Sequence, residues 1–122
     1  MYSELNELVK DMQIARTKSD FANNRAYELR QNAIRLQFIA NAAVETAAIA
    51  VEVVKECLDP QLLPKVIAYS KEAAQKAVAA VEQAAAAAEE ANHADKWVTQ
   101  AYQSTRDVTA RLSESLKAEV RT

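Results

Sequence analysis

Not one glycine occurs in this chain of 122 residues, and only two prolines do, Pro60 and Pro64. Glycine is the residue that supplies positive-φ turns, bulges and phosphate-cradling loops, so its absence excludes a glycine-rich nucleotide loop and disfavours tight β-hairpins. Both prolines fall inside Asp59-Pro60-Gln61-Leu62-Leu63-Pro64, which is therefore the one strong break in a sequence that otherwise reads as helix.

Other scarcities narrow the function. Cys57 is the single cysteine, which excludes an internal disulfide and a cysteine metal cluster. At a core position beside the turn it reads as a small buried residue rather than a redox thiol. His93 is the only histidine and has no Ser/His/Asp set to serve, so an enzyme is not expected. Charge is nearly balanced at −2 with a pI of about 5.5, leaving no global field to attract nucleic acid or acidic lipid. Arg16, Lys18, Arg25, Arg30 and Arg35 form one locally basic stretch, relieved by Asp20 and Glu28, and read as a solvated flank. The beginning of the chain, Met-Tyr-Ser-Glu-Leu-Asn-Glu, is acidic where a signal peptide would be basic and then apolar. The longest uncharged apolar-rich run, Leu36 to Val44, is stopped by Glu45, so no transmembrane segment is expected and the chain reads as cytoplasmic.

What is abundant is alanine, about a fifth of the residues, against seven aromatics. Alanine is the best helix former but removes little apolar area from water, so this chain makes helices readily and gains little per packed contact. From Leu5 to Cys57 the apolar residues keep a seven-residue repeat. Counting Leu5 as a, the a positions include Met12, Ala26, Ala40 and Val54, and the d positions include Leu8, Ala15, Leu36 and Ala50; only Ser19 departs from apolar. Such a repeat holds one stripe of a helix against a partner. Thr17-Lys-Ser-Asp20 has the form of a capping box and Asn23-Asn24 come directly after it, which offers an end and restart near 17–24.

Residues 33–58 also carry apolar side chains off the stripe. Ile39, Val44, Val51, Val53 and Leu58 flank it, and Ile34, Phe38 and Ile49 stand at b, f and c, where a two-helix protein meets water. A helix apolar on nearly every side is usually surrounded, so Ile34, Phe38, Ile49 and Val53 are the candidate interface residues.

Beyond the turn, Asp59 reads as an N-cap with Pro60 at N1. A second frame has Leu63, Ser70, Ala77, Ala84, Ala91, Val98, Thr105 and Leu112 at a, with Val66, Ala73 and Val108 among the d positions. Ile67, Ala74, Val81, Ala88, Tyr102 and Leu116 widen this stripe on its e side, and Trp97 at g reads as packing at a subunit edge. A second capping-box pattern, Ser104-Thr-Arg-Asp107, falls level with the first, inside a stretch (92–107) where the second arm could also break.

The expected fold is all-α: an alanine-rich antiparallel coiled-coil hairpin in a single domain, with arms 3–58 and 65–120 about a turn at 59–64. Folding at the turn sets residue i opposite roughly 121 − i, so that Leu5, Leu8 and Met12 meet Val108, Leu112 and Leu116, and Val54 and Leu58 meet Leu63, Val66 and Ile67. Each arm of about 54 residues would be roughly 80 Å long. A lone alanine-seamed hairpin buries little per residue, so homodimerisation into a four-helix bundle is expected, the alternative being four shorter helices bundled within one chain.

One pattern suggests a metal. Glu90-Ala-Asn-His93 places carboxylate and imidazole on one helical face, and ferritin-like carboxylate sites use two such pairs with two further glutamates; a dimer would supply both, with Glu28 level with His93 as the extra ligand. The frame sets Glu90 at g and both His93 and Glu28 at c, away from the seam, where they read as a solvated face. No cofactor or metal is expected.

Amphipathic, alanine-rich helices without glycine resemble phasins, which coat storage granules, and the Ala-Ala-Val-Glu-Gln-Ala run at 79–84 is similar in texture to chemoreceptor signalling hairpins, whose tip is replaced here by Asp59-Pro60…Pro64. The phasin resemblance, which is compositional, implies coating of an apolar surface. The residues themselves point to a non-enzymatic scaffold or protein–protein interaction module that self-associates. An amphipathic protein on a lipid or polymer granule and a dimeric ferritin-like metal site are the alternatives.

Overall fold

A computed structural model describes residues 2–121, with side chains from residue 3 on. It has two helices that pack together as a hairpin, α1 (Tyr2–Glu56) and α2 (Leu63–Arg121). Neither helix is interrupted. The alternative of four shorter helices is therefore overturned, and the stretches 17–24 and 92–107, where the sequence leaves continuity open, are helical throughout.

The hydroxyls explain why. Thr17, which would cap a new helix, instead donates from Oγ1 to the Gln13 carbonyl at 3.0 Å, and Thr105 and Thr109 likewise donate to the carbonyls of Ala101 and Thr105 at 3.0 and 2.8 Å. Such back-bonding to the residue four before satisfies a Ser or Thr without leaving the helix. Asp107, which would close the second capping box, accepts from Gln103 Nε2 at 3.3 Å, an i,i+4 pair that supports a continuous helix.

The connection is made without any positive-φ residue among those described, in keeping with the absence of glycine. Cys57 N–H bonds back to the Val54 carbonyl at 3.3 Å, closing α1 on a tight last turn. Asp59 then caps the start of the second arm: its Oδ1 accepts the Gln61 N–H at 2.9 Å, and its carbonyl accepts from Leu62 and Leu63 at 3.2 and 3.1 Å. Pro60 and Pro64 both fall in this opening turn, where the N–H groups they lack cost least. The regular helix begins at Leu63, ahead of the expected 65, and α1 ends at Glu56 rather than 58.

Burial follows the heptad closely. In α1 every a and d position from Leu5 to Cys57 is buried or half-buried, and Asn32 is the one other position that is. From Leu63 onward α2 shows the same selection, with no exception among the described residues. The chain divides into two compact units. The turn unit, Leu29–Glu90, has Ala40, Ala50, Ala73, Ala77, Ala84 and Ala87 at its centre. The terminal unit comprises the chain up to Glu28 and from Ala91 on, and buries Ala15, Ala26, Ala91, Ala94 and Val108. No large side chain is fully buried and no polar one is buried among the described residues.

The seam is narrower than the sequence suggests. The expected e-side extension (Ile67, Ala74, Val81, Ala88, Tyr102, Leu116) is exposed throughout, burial in α2 being confined to the a and d stripe. Leu116, expected to pack at the open end, is 49% exposed. Leu58, in the connection, is 94% exposed.

Facing levels can be read from shared clefts. In the turn unit Ala43 and Lys76 line one cleft with Thr46 and Ala73, and Val53 and Val66 line another. In the terminal unit Glu4 and Ser115 share a cleft with Leu8 and Arg111. These clefts show the two helices running antiparallel in each unit, and at the turn α1 ends at Glu56 where α2 begins at Leu63, which sets residue i of the turn unit near 119 − i rather than the expected 121 − i.

Candidate functional site

In an antiparallel pair the e positions of both helices lie on the same side of the seam, with b next to them. In the turn unit this side is apolar over a long span. From α1 it presents Ile34, Val44, Ala48 and Val51, and from α2 Ile67, Ala74, Val78, Val81, Ala85 and Ala88, all of them exposed. Between residues 34 and 51 on α1, and 72 and 88 on α2, no e or b position carries a charge. Gln37 (e) and Asn41 (b) are its two polar side chains there, and they serve each other: Gln37 Nε2 donates to Asn41 Oδ1 at 3.0 Å. That bond lowers the desolvation cost of covering this part of the face. Lys55 and Lys71, at b, mark its end beside the turn, and the f positions Glu45, Glu52, Glu82 and Glu89 form an acidic rim.

The expected interface residues divide between faces. Ile34 belongs to the e/b face. Phe38, at f and 72% exposed, stands on the rim next to it. Ile49 (c) and Val53 (g) lie on the opposite side, where they line a cleft with Thr46, Lys65, Val66 and Tyr69. A single flat partner does not reach all four. The e/b face escapes notice when α1 is read alone, since Val44 and Val51 then look like flanks of the seam; the signal is that the e residues of the second arm are apolar at matching levels.

The metal candidates do not assemble. Glu28, Glu90 and His93 are all exposed, Glu28 lies 3.8 Å from Arg25 in an i,i+3 ion pair, and among the described residues no three His, Cys, Asp or Glu side chains gather. The Cys57 thiol is half-buried and approaches the Asp59 carbonyl at 3.6 Å, a contact that belongs to the turn. In the terminal unit Trp97 is exposed, and the Arg106 guanidinium lies 6.0 Å from the centre of the Tyr102 ring, the outer limit of a cation–π contact.

One property of α1 departs from the expectation. Glu45 interrupts the run that begins at Leu36, yet the helix contains an 18-residue window long and apolar enough to cross a membrane by length and composition, and only 11% of that window is buried. A short break by one or two carboxylates is not sufficient to remove a segment from that class.

Comparison of the chain with known protein families, characterised proteins and solved structures gives no match.

Proposed function

We propose that this chain is a non-enzymatic, cytoplasmic helical scaffold that self-associates, two hairpins forming a four-helix bundle through the e/b face of the turn unit. The observation that supports it best is the e/b face of the turn unit, where Val44, Val51, Val78 and Val81 are 43–58% exposed over a span with no charged e or b side chain, an apolar strip of the kind that marks an interaction surface. Buried alanines contribute on the order of 1 kcal/mol each, which leaves a single hairpin marginal against the backbone entropy of ordering its residues. A second copy stacked on Val44, Val51, Val78 and Val81 would cover larger side chains than the alanines at the centre of the seam.

The test is mass by light scattering on the full chain. A dimer that falls to monomer mass in Val81→Asp, while Gln100→Asp on the terminal unit leaves it intact, supports the reading. A wild-type protein that stays monomeric at all accessible concentrations overturns it.

A second reading is supported by the apolar, largely unburied window of α1: reversible binding to an apolar surface, a lipid or polymer granule, as the phasin-like composition implies. Flotation with phosphatidylcholine vesicles tests it, and protein left wholly at the bottom of the gradient removes it. The dimeric metal site has no comparable support.

A further inference from the structure

Resting on the self-association reading, we infer that the two copies are related by a two-fold axis running along the hairpin, so that both turns lie at the same end and α1 of each copy packs on α2 of the other. Two symmetric arrangements can stack the e/b face on itself. An axis across the hairpin lays each helix on its own copy, running in the opposite direction. An axis along the hairpin lays α1 on α2 and keeps every residue at its own level, so the pairings follow from the 119 − i relation to within one residue.

Those pairings are complementary in size. Ile34 (b) comes level with Ala85 (b) of the partner subunit, and Val44 (e) with the partner's Ala74 (e), a branched side chain against a methyl each time. Gln37 and Asn41, already bonded to each other, fall opposite Val81 and Val78 of the partner subunit. Only Val51 with the partner's Ile67 sets large against large, next to the turn. The crosswise arrangement, centred on the same face near residues 44 and 45, instead brings Ile34 level with the partner's Lys55.

Charge agrees. Lys71 is the one charged e or b residue of α2 in this unit, and the lengthwise axis places it level with the partner's Ala48, between the f carboxylates Glu45 and Glu52. Glu52 already holds Lys55 of its own helix at 3.4 Å, so Glu45 of the partner subunit is the carboxylate that Lys71 meets. Two such contacts form per dimer. The acidic rim that suits Lys71 also repels an anionic membrane surface, which favours a second copy as the occupant.

Disulfide trapping distinguishes the arrangements. In the full chain with Cys57→Ser, Ile34→Cys with Ala85→Cys marks the lengthwise axis, the two positions standing on opposite margins of one chain's face and beyond the about 7 Å Cα reach of an intrachain disulfide. Val44→Cys alone marks the crosswise one. Mild oxidation is expected to convert most of the I34C/A85C protein to covalent dimer and to leave V44C monomeric on a non-reducing gel. Trapping of V44C but not of I34C/A85C, or of neither while light scattering still reports a dimer, overturns the lengthwise axis and leaves self-association standing. Monomer mass in the Cys57→Ser protein overturns both.

Discussion

The Asp59 carboxylate accepts the backbone N–H of Gln61 at 2.9 Å, a bond within the one reversal of the chain among the described residues. Removing it in Asp59→Ala leaves an orphan donor at the start of α2 and is expected to destabilise the fold by about 1 kcal/mol. Asp59→Asn keeps the acceptor and loses only a few tenths of that. Urea melts followed by circular dichroism separate the two, and equal losses in both variants refute the cap.

Ala26 and Ala40 are 0% exposed, and the helices approach each other over their methyl groups. Leucine at either position overfills the seam and is expected to cost about 1–3 kcal/mol. Ala42→Leu, at an exposed c position of the same helix, is the control and should melt within about 0.5 kcal/mol of the parent. A stabilised Ala40→Leu would mean that the seam is looser than the burial of these two alanines indicates.

At Thr17 the expected effect has the opposite sign. As an N-cap its loss would cost about 1 kcal/mol. As a mid-helix residue bonded to Gln13, its replacement by alanine removes a weaker helix former, and Thr17→Ala is expected to raise stability by a few tenths of a kcal/mol. Thermal melts in a single buffer decide the sign.

The fold is legible in these residues to an unequal degree. The seam can be read because a strict 3.5-residue period has one geometric meaning: Leu5, Ala26, Ala40 and Val54 cannot all face a partner in any other way. The capping boxes mislead because Thr17 and Ser104 are chemically able to cap a helix or to bond back into one, and only the neighbouring structure selects. The outer surface is harder still. Val44 and Val51 resemble a widened core until the e residues of the second arm are laid beside them, whereas Ile49 and Val53, chosen from the same stretch, lie on the far side with Tyr69. Apolar character alone does not say which side a neighbour occupies.

A charge reversal probes the rim. Lys71→Glu sets carboxylate beside the partner's Glu45 and is expected to weaken dimerisation about tenfold, exposed pairs contributing up to about 1 kcal/mol each. Glu45→Lys in the same chain should restore most of the loss. Sedimentation equilibrium at about 0.15 M salt measures both, and an additive rather than compensating double variant refutes the pairing.

Because alanine stands against alanine through the middle of the turn unit, with no buried polar group to mark a fixed place, sliding α2 along α1 by seven residues would exchange like contacts for like. The short connection forbids that slip as long as it is whole. A chain cut within 57–62 should thus keep its helicity yet lose its unique alignment, and its fragments should anneal as a mixture of staggered pairs.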